Sequence, residues 1–165
     1  MSQAFGVAGC QWLEPGGRTA ALAIEVFLNS TGIALKVEPI TGKTLVPGLA
    51  IAEGRIVIDP DKPAYPGDLL HEAGHIAVVE PERRASLSEV GIDPGNEMAA
   101  IAWSVAAARA CGVELEVLFH PEGYKGGSAN LIADFRAGQP FGVPLLAWYG
   151  MTGAEIYPEM TRWLR

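Results

Sequence analysis

An α+β domain is the fold class this sequence predicts, on three observations. Residues 49–59 (LAIAEGRIVID) hold two β-type runs about Glu53-Gly54, the pattern of a hairpin. Two later segments open on proline and run long and apolar, as buried helices do. The order is a helix, a few strands and then mostly helices, rather than a strand–helix alternation.

The elements follow in chain order. Gly17 to Asn29 has helical spacing, with Leu22, Ile24, Val26, Phe27 and Leu28 available to a core, and ends near Gly32. Ala34 to Ile40 (ALKVEPI) reads as a short strand, and Pro39 favours an edge position because it cannot donate to a ladder. The hairpin comes next. Pro66 then opens a helix that reaches about Val79 and must stop before Pro81. Glu80 to Asp93 is the most polar stretch, read as a loop or a loop with a short turn. Asp93-Pro94 supplies an N-cap and first-turn pair for a second long helix, which ends at Gly112. Val113 to Phe119 alternates and reads as a strand or an extended connection, and Ser128 to Arg136 as another helix. The remainder, rich in Pro, Gly and aromatic residues, receives no element. At 165 residues, without an internal repeat or a low-complexity linker, the chain suits one domain.

Hydrophobic residues make up 49% of the chain and charged ones 19%, so the surface is thinly charged or partly used in a homo-oligomer contact. A formal charge of −7 argues against nucleic acid and anionic membrane as partners, since both need basic faces. Two cysteines, Cys10 and Cys111, fit a reducing compartment, although one bridge between them stays open. The N-terminus lacks a basic region before its apolar run and does not read as a signal peptide. The expected location is cytoplasmic.

The chemistry concentrates in His71-Glu72-Ala73-Gly74-His75. Two histidines four apart on a helix share a face, so both imidazoles reach one metal ion. Glu72, beside the first of them, is close enough to hold a water without ligating, and so to act as general base. The setting sharpens this reading. From Asp68 to Val79 the polar residues are Asp68, His71, Glu72 and His75, at offsets 0, 3, 4 and 7, and everything else is apolar or glycine. Burying such a stripe is costly unless something satisfies it, and a metal does. A catalytic site needs a third protein ligand. Glu97, in the first turn of the second long helix, is the leading candidate; His120, Asp93 and a cysteine are the alternatives. The face that continues from Glu97 through Ala100, Ile101, Ser104 and Ala108 is mostly small and permits close approach to the histidine helix. His120 and Tyr124 are the side chains available as oxyanion donors, against a simple His-Pro turn with a partly packed tyrosine.

His71-Glu72-Ala73-Gly74-His75, followed 22 residues after His75 by Glu97 in Asn96-Glu97-Met98-Ala99-Ala100, resembles the gluzincin branch of zinc metallopeptidases, in a compact single-domain form. The resemblance spans roughly Leu49 to Ala108. It implies a zincin-like fold, a small, mostly antiparallel sheet packed on the HExxH helix and the glutamate-bearing helix. It also implies Zn2+ held by His71, His75 and Glu97, with Glu72 as base. Residues Arg55 to Asp59 would be the edge strand that pairs with an extended peptide or protein substrate. The acidic residue that gluzincins often carry a turn after the ligand glutamate is replaced here by Ala100 or Ile101. Orientation of a ligand histidine would then fall to Asp59, Asp61, Asp93 or backbone carbonyls. The reading is a zinc metallopeptidase; the alternative is a zinc-binding regulatory or interaction module without turnover, and a cysteine-liganded hydrolase ranks below both.

Overall fold

The computed structural model describes residues 6–88, 94–139 and 141–165. Asp93, expected both as N-cap and as a candidate near the metal, lies outside them.

Helix α1 spans Gly17–Thr31 and ends where Gly32 turns left-handed (φ 88°), its N–H returning to Leu28 O. Ile24 and Leu28 are buried, whereas Val26, one of the expected core residues, stands exposed. Three strands follow: β1 (Leu35–Val37), β2 (Leu49–Ala52) and β3 (Arg55–Ile58). Strands β2 and β3 form the expected hairpin, Leu49 opposite Ile58 and Ala52 opposite Arg55. Glu53 (φ 51°) and Gly54 (φ 71°) both take positive φ, which suits the right-handed twist of a two-residue hairpin.

The sheet order β1-β3-β2 corrects two expectations. Strand β1 runs parallel to β3, with Leu35 opposite Ile56 and Val37 opposite Ile58, so the sheet is mixed rather than mostly antiparallel. Residues 38–48 carry the chain from one side of β3 to the other, and β3 becomes the central strand. Its outer groups are taken by Ile56 N–H to Ala34 O and Glu38 N–H to Ile58 O. Arg55 to Asp59 therefore offers no free edge to a substrate. The edges are β1, as Pro39 suggested, and β2.

Helix α2 (Pro66–Val78) lies beneath β2 and β3, and all of its residues except His71 are buried. A short helix α3 (Pro81–Arg84) occupies the polar stretch. Its Arg84 closes the end of α2 by donating to Ile76 O (3.1 Å) and to Arg165 O (2.8 Å). Helix α4 (Pro94–Cys111) is buried without interruption from Ala99 to Ala108, as a helix enclosed on all sides must be. Helices α2 and α4 form the most extensive contact of the fold, and Gly74 sets their separation. A Cβ at Gly74 would stand 2.6 Å from Ala100 O, so only glycine lets the two backbones come this close.

Residues 113–119, expected as a strand or an extended connection, form instead a short helix α5 (Leu115–Leu118). Leu118, Phe119 and His120 are all buried in succession, which a half-buried strand cannot do. Helix α6 (Ser128–Arg136) matches expectation. Helix α7 (Val143–Trp148), in a region to which the pattern assigned nothing, packs Val143 and Leu146 into the core. The last residues return to the centre, where Trp163 packs edge-on to Trp103 (5.6 Å) and Phe27 (4.8 Å). Cys10 and Cys111 are free thiols. Among the described residues no helix is long and apolar enough to cross a membrane.

Candidate metal centre

One turn apart on α2, His71 and His75 direct their Nε2 atoms to a common point, 3.3 Å from each other. Glu97, in the first turn of α4, brings Oε1 to 3.3 Å from His71 Nε2 and Oε2 to 2.9 Å from His75 Nε2. These three side chains form a group able to hold a metal ion, one ligand atom from each within 4.8 Å of the others. The spacing can be tested against a tetrahedral ion about 2.0–2.1 Å from each ligand, which sets neighbouring ligands about 3.3–3.4 Å apart. The two nitrogens, and His71 Nε2 with Glu97 Oε1, meet that edge length; His75 instead meets the other carboxylate oxygen at 2.9 Å, a hydrogen bond that a metal would replace. Two imidazoles and a carboxylate suit zinc, and suit other borderline divalent ions too.

The electrostatics agree with a ligand role. Burial, reinforced by the neighbouring His75, pushes His71 down to about 4, so at neutral pH its ring is uncharged and keeps a lone pair for a metal. For Glu97 burial acts upward, but the His75 hydrogen bond and the fields of both histidines outweigh it and hold the carboxyl below its ordinary range. Its side chain is 40% exposed, against 12% for His71 and 3% for His75, so the centre opens to solvent on the Glu97 side.

Glu72 is 2% exposed, beside His71 and outside the ligand group. The fourth member of the stripe, Asp68, has a different task. Its Oδ1 meets His120 Nε2 at 2.8 Å, both residues are buried, and Tyr65 stacks on the imidazole at 3.8 Å. His120 thus lies outside the ligand group, and its Nε2 is engaged with Asp68. It anchors the segment that follows, for Ser128 Oγ (2.7 Å) and Gly123 N–H (3.0 Å) both donate to its carbonyl. That segment carries Tyr124 onto α2. Its hydroxyl lies 3.2 Å from His71 Nδ1, with the rings edge-to-face at 5.0 Å. Burial, then the fields of Asp68, Glu97 and Glu72, raise the Tyr124 hydroxyl well above its ordinary value, so it stays protonated.

The other expected orienting groups are elsewhere. Asp59 accepts from Ile40 N–H and Asp61 N–H, both at 2.9 Å, and fixes the loop after β3; it does not touch a ligand histidine. Asp61 lies in the same loop, and neither cysteine joins the ligand group. Pattern reading left the Asp68–His120 pair without its partner and Tyr124 without its contact. The usable signals were a buried acid on the stripe that no metal required, and a tyrosine four residues past that histidine. Comparison of the chain with known protein families, with characterised proteins and with solved structures finds no match.

Proposed function

We propose that the chain is a zinc-dependent hydrolase, a zincin-like metallopeptidase of the gluzincin type that cleaves peptide bonds. The observation that carries the reading is the convergence of His71 Nε2, His75 Nε2 and the Glu97 carboxylate on one point, with Glu72 buried beside them. Zinc held there supplies Lewis acidity toward water and toward a carbonyl oxygen. His71 and His75 would hold it through Nε2 from successive turns of one helix, and Glu97 would close the set from the neighbouring helix. Glu72 accepts the proton of the attacking water and returns it to the departing amine. Its near-complete burial keeps the carboxylate short of competing solvent. The substrate is a peptide or protein that enters on the Glu97 side, and the working compartment is the cytoplasm, which two free thiols support.

The slight exposure of His71, His75 and Glu72 favours a second reading, a metal-holding regulatory or interaction module without turnover. Two variants decide between them. Elemental analysis of the wild type should find about one zinc per chain, sharply reduced in Glu97→Ala. Glu72→Gln should keep the zinc and abolish cleavage of a peptide library. A wild type that takes up no zinc after reconstitution refutes both readings, and one that binds zinc but cleaves nothing leaves the module.

A further inference from the structure

The second turn of α2 poses a question of proton placement. A histidine that ligates through Nε2 must carry its proton on Nδ1, and that N–H needs an acceptor if the ring is to stay in place. For His71 the atom facing Nδ1 is the Tyr124 hydroxyl at 3.2 Å. A hydroxyl accepts and donates at once, whereas a carboxylate only accepts. Ser104 of α4 also interacts with the Tyr124 hydroxyl, and its own Oγ donates to Ile101 O at 2.7 Å. With the Ser104 proton given to a backbone carbonyl, a Tyr124 hydroxyl that accepts from His71 Nδ1–H can turn its own proton toward Ser104 Oγ.

The backbone supplies a second, independent sign. Tyr124 (φ 55°) and Lys125 (φ 53°) are consecutive left-handed residues; Glu53, in the hairpin turn, is the only other non-glycine residue with positive φ among those described. Each is a strained conformation for a residue that carries a Cβ, and persists only where surrounding contacts over-determine it. Those contacts are present. The Phe119 ring lies edge-on to Tyr124 at 5.0 Å, and the Asp68–His120 pair and Ser128 fasten the segment at both ends.

We propose that Tyr124 is the positioning residue of this centre: it accepts the Nδ1–H of His71, passes the hydrogen bond to Ser104, and so fixes His71 with Nε2 toward the metal. It takes the place of the acidic residue absent from α4 at Ala100 and Ile101, and it comes from a segment far along the chain. The inference rests on the metal-site reading above.

The test compares zinc dissociation constants, by competition with a chromophoric chelator, for the wild type, Tyr124→Phe and Ser104→Ala. Thermal melts of the metal-free proteins and nitrogen-15 NMR of the histidine rings accompany them. The expected result for Tyr124→Phe is a ten- to hundredfold weaker affinity, with metal-free melting close to wild type. Ser104→Ala should show a smaller loss in the same direction. In the zinc-loaded wild type, His71 should be protonated at Nδ1 with slow solvent exchange, a signature that Tyr124→Phe loses. A merely structural tyrosine would lower the melting temperature and leave that resonance and the affinity of the folded protein unchanged. Should Tyr124→Phe fail to fold, the wild-type ring spectrum and Ser104→Ala still decide. Zinc bound by the wild type but with equal affinity in both variants, or His71 ligating through Nδ1, overturns the positioning role alone. No zinc on the wild type overturns the metal site and this role together.

Discussion

Gly74→Ala tests the geometry of the centre without touching a ligand. The added Cβ would lie 2.6 Å from Ala100 O and 3.1 Å from Ala100 Cα, where ordinary contact begins near 3.4 Å. Relief requires α4 to move off α2 by about 0.8 Å, the difference between those two distances, because the obstacle is backbone and cannot rotate away. Glu97 sits one turn before Ala100 on the same rigid helix and moves with it. Metal–ligand distances tolerate about 0.2 Å, so the displacement exceeds what the site can absorb. Overpacking costs about 1–3 kcal/mol, and replacing a helical glycine by alanine returns about 1. The net loss of stability is then about 0–2 kcal/mol, a fall of a few degrees in Tm at this length. Zinc affinity should fall at least tenfold, out of proportion to that small change. Chelator competition and thermal melts with and without zinc measure the two quantities on one sample. Wild-type zinc affinity, or a Tm raised by the full helix-propensity gain, would refute the close-packing argument.

Three further outcomes follow from the same contacts. His120→Ala leaves Asp68 buried without its partner and removes the stack on Tyr65, so urea denaturation should show a loss of about 3 kcal/mol or more; a cost below about 1 kcal/mol would mean that water satisfies Asp68 instead. Saturating zinc, at 100 times its dissociation constant, should stabilise the wild type and Glu72→Gln by about 2.7 kcal/mol and Glu97→Ala by far less. The metal-free protein should weaken on mild acidification: His71 lies near 4 folded against 6.5 unfolded, so between those values the unfolded chain binds more protons. That contribution is complete above about pH 6.5 and declines as pH falls toward 4, by about 2 kcal/mol at pH 5. The lowered Glu97 carboxyl acts in the same direction at more acid pH. Denaturant titrations of the wild type and His71→Gln at pH 7 and pH 5 check it, and an equal pH dependence in the two would show that His71 is not the group responsible.

What the sequence by itself determined is local. Helical periodicity alone puts the histidines at offsets 3 and 7 from Asp68 on one face, and prolines at 66, 81 and 94 mark where helices start or stop. Glu53-Gly54 specified its hairpin because Gly54 takes a positive φ at no steric cost between two β-type runs. Glu97 was legible because the small residues on its helix face advertised a close neighbour. The tertiary structure decided everything that depends on pairing distant segments. Strand order is one case: β1 lies parallel to β3 because of the path of residues 38–48, and local alternation carries no information about which strand becomes central. The segment 113–119 is another, too short for its period to separate a strand from a helical turn until α2 and α4 supplied the surface it packs on. The partners of Asp68 and His71 lie 52 and 53 residues further along the chain, and neither spacing has a period that links them. Side chains of the right chemistry were visible in the sequence; only burial in a common interior, where each polar atom must find a partner, selected which of them meet.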